Sequence, residues 1–179
     1  MVKNGIGGAN TQTGAIFENE VDIIEFLATS VEGYSIVKHI DYIDILFDNT
    51  SVAKSFRKHQ LYKYLEFCNV DWKHILSKKL LPDEAIYVIK ENTVFIIEMK
   101  SQVVAGSVDE KLQTCGFKLI QYKKLFAPLN YEIEYLYILN DWFKKPEYQD
   151  VLDYIIYTGC KYYFNYLPLH KIGLPTKVS

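Results

Sequence analysis

Long apolar runs are missing from this chain. Nowhere do about 18 apolar residues follow one another, so no membrane-spanning helix is predicted. The first residues carry no basic region ahead of an apolar stretch, and no secretory signal is expected. Cysteine is scarce and scattered, at Cys68, Cys115 and Cys160, with no Cys-x-x-Cys and no His-x-x-x-His spacing. That pattern argues against a structural zinc site and fits a reducing, cytoplasmic setting. Arginine is almost absent: of 20 basic residues, Arg57 is the one arginine and the rest are lysines. Lysine meets a phosphate as a point charge, whereas bidentate reading of guanine is usually arginine work. Any base recognition must therefore lean on Arg57, Lys, Asn, Gln and backbone groups. The formal charge of −2 counts against a protein that simply coats DNA, and less against a nuclease. Gly5, Gly7 and Gly8 lie in a polar opening stretch but no Gly-Lys-Ser/Thr follows, so residues 1–13 are read as a mobile arm and not as a phosphate-cradling loop.

What is present is a core. Hydrophobic residues make up 49% of the chain and aromatics 15%, enough for one globular domain over residues 1–179, with its core at about 14–140. The chain is organised around Pro82–Lys100. Two apolar runs, Ala85–Ile89 and Val94–Ile97, flank Lys90-Glu91-Asn92-Thr93, which predicts two strands joined by a tight turn. With the turn centred between Glu91 and Asn92, Ile89 faces Val94 and Asp83 faces Lys100. Residues two apart on a strand share a face, as do cross-strand partners, so Asp83, Glu98 and Lys100 project together. Asp83 and Glu98 become diagonal neighbours at roughly 7–8 Å, where two carboxylates can share a divalent cation. A one-residue slip would send Asp83 to the other face. Ala85, Tyr87, Ile89, Val94 and Ile96 fall on one side and Ile86, Val88, Phe95, Ile97 and Met99 on the other; a ribbon apolar on both faces belongs inside a covered sheet. Charges at the end of four apolar residues call for partners.

Pro82-Asp83 followed across the hairpin by Glu98-Met99-Lys100 resembles the PD-(D/E)XK nuclease signature. The resemblance implies an α/β (α+β) fold, a mixed central β-sheet flanked by helices with a restriction-endonuclease-like core. It implies Mg²⁺-dependent phosphodiester hydrolysis leaving 5′-phosphates, with Asp83, Glu98 and the Met99 backbone carbonyl on the cation and Lys100 orienting the attacking water. Oxygen ligands without histidine favour Mg²⁺, or Mn²⁺ as substitute, and no organic cofactor is called for. Thr13–Glu18 looks like the helix-borne glutamate stretch of short restriction endonucleases, which makes Glu18 a further catalytic or metal-binding candidate beside its plain reading as a first-turn acid. The string after Glu98-Met99-Lys100, from Gly106 to Leu125, is similar to the helix that follows in such enzymes. Lys111, Gln113 and Lys118 on it are DNA-binding candidates, with Lys111 at the N-terminal end facing the scissile phosphate. Gln102 shares the face of Lys100 if the strand continues. Lys54, Arg57 and Lys58 form a basic stretch, usually a solvated face and the place to look for DNA contacts; Lys73, Lys78 and Lys79 are further phosphate candidates. The resemblance points to a Type II restriction endonuclease acting on double-stranded DNA as a homodimer. A junction-resolving or repair nuclease of the same fold, or a non-catalytic DNA-binding module, are the alternatives.

Elsewhere the patterning predicts a helix over Ala15–Ser30 capped by Thr13, strands over Tyr34–Ile40, Ile43–Phe47 and Ser51–Phe56, and a helix from Arg57 to Phe67. It then predicts a short helix over Asp71–Lys79, a helix over Val108–Phe126 with Ser107 and Glu110 as a capping box, a strand over Tyr131–Leu139, a helix over Tyr148–Tyr157 closed by Gly159, and a last strand over Lys161–Tyr166.

Overall fold

The computed structural model describes residues 14–16, 23–104 and 108–177. Strand β1 is Gly14–Ile16, helix α1 Ile23–Ser30, then come β2 Tyr34–Lys38, β3 Ile43–Phe47, β4 Thr50–Ser55 and α2 Gln60–Phe67. The second half holds β5 Glu84–Val88, β6 Thr93–Lys100, α3 Val108–Leu112, α4 Cys115–Phe126, β7 Glu132–Leu139, α5 Gln149–Tyr157, β8 Lys161–Phe164 and β9 Tyr166–Pro168.

Strands β2 to β8 form one seven-stranded mixed sheet in sequence order. Neighbours from β2 to β6 pair antiparallel; β6, β7 and β8 run parallel, with α3–α4 and α5 as crossovers. Helices α2 to α5 cover one face, burying Phe56, Leu61, Ala85, Val94, Ile96, Leu119, Tyr135 and Ile155 among others. Helix α1 and the C-terminal segment, with Leu169 and Ile172, cover the other face over Ile45, Ile86, Val88, Phe95 and Ile97. The two faces of the central ribbon are thus divided as the alternation predicts, and β5 and β6 sit mid-sheet. A mixed sheet flanked by helices is the expected architecture.

Five elements differ from expectation, one of them the last strand expected over Lys161–Tyr166, which stops at Phe164 before Asn165 turns the chain at φ 62°, so that Tyr166 opens β9 instead. Ala15 and Ile16 are not helical: β1 pairs antiparallel with β9, Gly14 opposite Pro168 and Ile16 opposite Tyr166, and the described helix begins at Ile23. The Thr13 cap, Glu18 and Ser107 lie outside the described residues. The helix expected from Arg57 starts at Gln60, because Phe56 N–H still donates to Ala85 O and Lys58, in the left-handed region at φ 44°, donates to Pro82 O. The helix expected over Val108–Phe126 is broken at Gln113-Thr114, where the Thr114 hydroxyl donates to Lys111 O at 2.7 Å and competes with the helical ladder. The helix expected over Asp71–Lys79 reduces to a 3₁₀ turn, Trp72–His74.

The central turn also differs, with consequence for the site. Val88 pairs with Thr93 and Glu84 with Ile97, so the loop is Ile89–Asn92 and its centre lies between Lys90 and Glu91. Asn92 adopts φ 48°, and its N–H donates to Ile89 O; an asparagine tolerates that backbone where most residues do not. The register is displaced by two residues from the expected one. Because the side-chain period of a strand is two, every residue keeps its face.

Candidate active site

Asp83 stands in the bend ahead of β5, while Glu98, Met99 and Lys100 end β6 beside the C-terminal half of parallel β7. The displaced register carries Asp83 from a position opposite Lys100 towards one opposite Glu98. The three charged side chains meet. Lys100 Nζ lies 3.0 Å from Glu98 Oε2 and 3.4 Å from Asp83 Oδ2, and it donates to the Met99 carbonyl at 3.2 Å. Met99 N–H donates to Asp83 Oδ2 at 3.0 Å, which fixes the bend to the strand. Three oxygens, from Asp83, Glu98 and the Met99 backbone, therefore converge on one point, now held by an ammonium nitrogen. Among the described residues no third Asp, Glu, His or Cys joins the two carboxylates in a metal-holding group.

Helix α4 crosses this face and adds Lys118, whose Nζ donates to Glu98 Oε1 at 2.7 Å. Glu98 is 5% exposed. Burial pushes its carboxyl pKa up, but the charge of Lys100 and the hydrogen bond and charge of Lys118 outweigh that, and it lies below the usual value. Tyr135, on β7, is buried beside Glu98; its hydroxyl falls short of full hydrogen-bond geometry, yet it favours the carboxylate. Burial raises the Tyr122 phenol, and the charges of Glu98 and Asp83 raise it further, so it stays a neutral lining group. Tyr137 donates to Lys111 O and Leu112 O, anchoring the end of α3 to β7. Asn140, after β7, clamps the chain leaving β6: its side-chain amide donates to Gln102 O at 2.8 Å, and Gln102 N–H donates to its Oδ1 at 3.3 Å. Glu98 is buried against the sheet, but the Asp83 side chain is 38% and the Lys100 side chain 21% exposed, so the site opens to solvent.

The other predicted contacts distribute as follows. Lys118 is drawn into the site itself. Lys111 is exposed and sits in the last turn of the five-residue α3, so no helix N-terminus stands behind it. Gln113 is exposed at the α3–α4 break. Gln102 is 7% exposed and held by Asn140. Lys54 pairs with Asp44 at 3.4 Å and lies over the Tyr42 ring. Lys58 is exposed close to Pro82. Arg57 bonds Glu84 through Nε at 2.7 Å, and Glu84 alternates with Asp83 along the chain entering β5. Glu84 also accepts from Ser55 Oγ at 2.7 Å, and burial still raises its pKa despite Arg57 and Ser55.

The sequence pattern does not single out Glu84, Asn140 or the tyrosine lining, and it gives Lys118 a different role. The alternation that puts Asp83 on one face puts Glu84 on the other, so Glu84 had a signal. The reach of Lys118 had none, since it depends on where α4 crosses the sheet. Comparison with protein-family models, with characterised proteins and with solved structures found no match to this chain.

Proposed function

We propose that the protein is a Mg²⁺-dependent nuclease that hydrolyses phosphodiester bonds of double-stranded DNA at the Asp83–Glu98–Lys100 site. The observation that carries this reading is the convergence of the Asp83, Glu98 and Met99 oxygens on one point within 3.4 Å of Lys100 Nζ. Three hard oxygens, two of them anionic, fit Mg²⁺ or Mn²⁺ better than zinc. A bound cation there would supply a water of lowered pKa and neutralise charge on the phosphoryl oxygens. The chain's own groups do the rest. Lys118 and Lys100 keep Glu98 ionised. Lys100, tethered next to the acids, can hold the attacking water and stabilise charge on the transition state. The Met99 N–H keeps one Asp83 oxygen turned into the site. Resemblance to PD-(D/E)XK enzymes extends the reading to a Type II restriction endonuclease, whose double-strand cutting would need a homodimer.

A second reading has one observation in its favour: Lys118 at 2.7 Å and Lys100 at 3.0 Å already neutralise Glu98, as a purely structural ion cluster in a DNA-binding module would. Incubating the protein with plasmid and Mg²⁺ and sequencing the ends separates the two. The nuclease reading expects discrete fragments with 5′-phosphates; its Type II form, unlike a junction-resolving nuclease of the same core, also expects branched DNA to be spared in a parallel digest. Asp83→Ala, Glu98→Ala and Lys100→Ala should each abolish cutting while duplex binding persists. Cutting that survives any of these changes, or no cutting with Mg²⁺ or Mn²⁺, refutes it.

A further inference from the structure

The outer faces of two helices beside the site carry apolar side chains that the sheet does not use. Helix α4 turns Phe117, Ile120 and Lys124 outward at the i, i+3, i+7 spacing of one helix face, while Cys115, Leu119, Tyr122 and Phe126 are buried on the opposite one. Helix α5 turns Asp150, Asp153 and Tyr157 outward at the same spacing, over buried Leu152 and Ile155. Phe117 is 61%, Ile120 54% and Tyr157 88% exposed. Apolar side chains scattered singly are ordinary on a surface, whereas adjoining ones mark a place of contact.

The fold joins these two faces into one strip. Both helices cross between parallel strands, α4 from β6 to β7 and α5 from β7 to β8, so they run in the same direction on the same side of the sheet. Helix α5 lies against α3, and its end meets the start of α4: a Cβ at Gly116 would stand 3.1 Å from Thr158 Cγ2 and 3.6 Å from the Tyr154 hydroxyl. Phe117 and Tyr157 are the chain neighbours of that contact. The outward residues therefore follow one another along a line. Asp150 and Asp153 come first, then Tyr157, Phe117 and Ile120, then Lys124 with exposed Lys123 beside it. At about 1.5 Å per residue each half is about 10 Å long, so the strip runs about 20 Å from acid to base.

An acid end, an apolar centre and a basic end make the strip complementary to itself. Turned end for end about a two-fold axis between Tyr157 and Phe117, a second copy sets apolar centre on apolar centre and brings Lys124 of each chain to Asp150 of the other. A two-fold that kept the strips parallel would set acid on acid and base on base. Asp153 accepts from Gln149 Nε2 at 2.8 Å within its own helix, whereas neither Asp150 nor Lys124 has an ion-pair partner among the described residues. We propose that the protein forms a two-fold symmetric dimer through this α4–α5 strip, with Lys124 of each copy on Asp150 of the other. The pairing rests on the surface and not on phosphodiester hydrolysis. The acid end lies towards the candidate site, since α5 follows the end of β7 that lies beside Glu98 and Lys100. The two sites therefore stand at opposite ends of this dimer, and the contact is distinct from one that would put two sites on the same duplex.

Sedimentation velocity on the full chain tests this. The wild type should pass from monomer to dimer as its concentration rises, and added salt should weaken the dimer. Lys124→Glu and Asp150→Lys should each weaken it about tenfold or more. An equimolar mixture of those two variants should recover it, because both charge contacts of the mixed pair then join opposite signs. Phe117→Asp, folded by circular dichroism, should be monomeric at concentrations where the wild type is dimeric. A wild type that stays monomeric up to about 1 mM, a dimer that Phe117→Asp leaves intact, or a mixture no tighter than either variant alone overturns the proposal. So does a wild type that stays monomeric and cosediments with phosphatidylcholine vesicles, since the strip would then meet a lipid surface.

Discussion

Glu98 and Glu84 lie on neighbouring strands, and their surroundings move their protons in opposite directions. Glu98 holds its proton more weakly in the folded protein than in the unfolded chain. Its contribution to stability is therefore fully present above the ordinary carboxylate pKa of about 4.3 and is lost as pH falls through the depressed folded value. Glu98→Gln is expected to flatten the acid limb of the Tm–pH curve. Glu84 holds its proton more strongly folded than unfolded. The wild type then loses stability as pH rises from the ordinary value through the raised one, so the Tm of Glu84→Gln relative to wild type should climb over that interval. Thermal melts of both variants across the acid range decide this, and a pH-independent difference for either one counts against the charge environment described for it. Strand parity makes the shared face of Asp83, Glu98 and Lys100 legible in the sequence. It cannot show that Lys118 and Tyr135 add to the lowering by Lys100 of the proton affinity of Glu98, because those two residues arrive through the packing of α4 and β7.

The β5–β6 hairpin is the element that most constrains everything around it. Its two apolar faces are readable from alternation alone, whereas its turn is not: Lys90-Glu91-Asn92-Thr93 accommodates either centre, and the choice is made by contacts outside the ribbon. Ile89 N–H donates to Val52 O on β4, and the Asn92 side-chain amide donates to Asn130 O ahead of β7. The site is insensitive to that choice because a two-residue displacement preserves faces and a one-residue displacement would not. The same logic grades mutations along the ribbon. Ile96 is 0% exposed on the helix-covered face, and Ile96→Ala should cost about 3 kcal/mol in chemical denaturation. Ile89 is 40% exposed at the turn, and Ile89→Ala should cost less than about 1 kcal/mol. Asn92→Val places a β-branched residue at φ 48° and removes the side-chain bonds to Asn130 O and from the Tyr87 hydroxyl, so it should destabilise by about 2 kcal/mol, while Asn92→Gly should lose less because only those bonds go. Equal losses for valine and glycine would mean that the backbone conformation of this turn is not what the sequence had to satisfy.

At the scale of the molecule, a net charge of −2 and a site with two acids and two lysines leave the question of why a cation would be preferred to the ammonium already there. Lys100 Nζ contacts the same three oxygens that would hold Mg²⁺, so the two positive centres compete, and the divalent one has the larger Coulombic attraction to a pair of carboxylates. Binding to the folded state alone raises stability by mass action, which makes Tm a readout of the competition that needs no DNA. A Mg²⁺ titration should raise the Tm of the wild type, and Glu98→Gln should remove most of the shift. Lys100→Met deletes the competitor while keeping a long, unbranched side chain. It should shift the titration to about tenfold lower Mg²⁺, and the same protein should fail to cut DNA. That opposite pair of effects distinguishes a lysine that works beside a cation from one that replaces it. If Lys100→Met leaves the Mg²⁺ midpoint where it was, the three oxygens do not form the cation site, and the cluster is held together by its lysines alone.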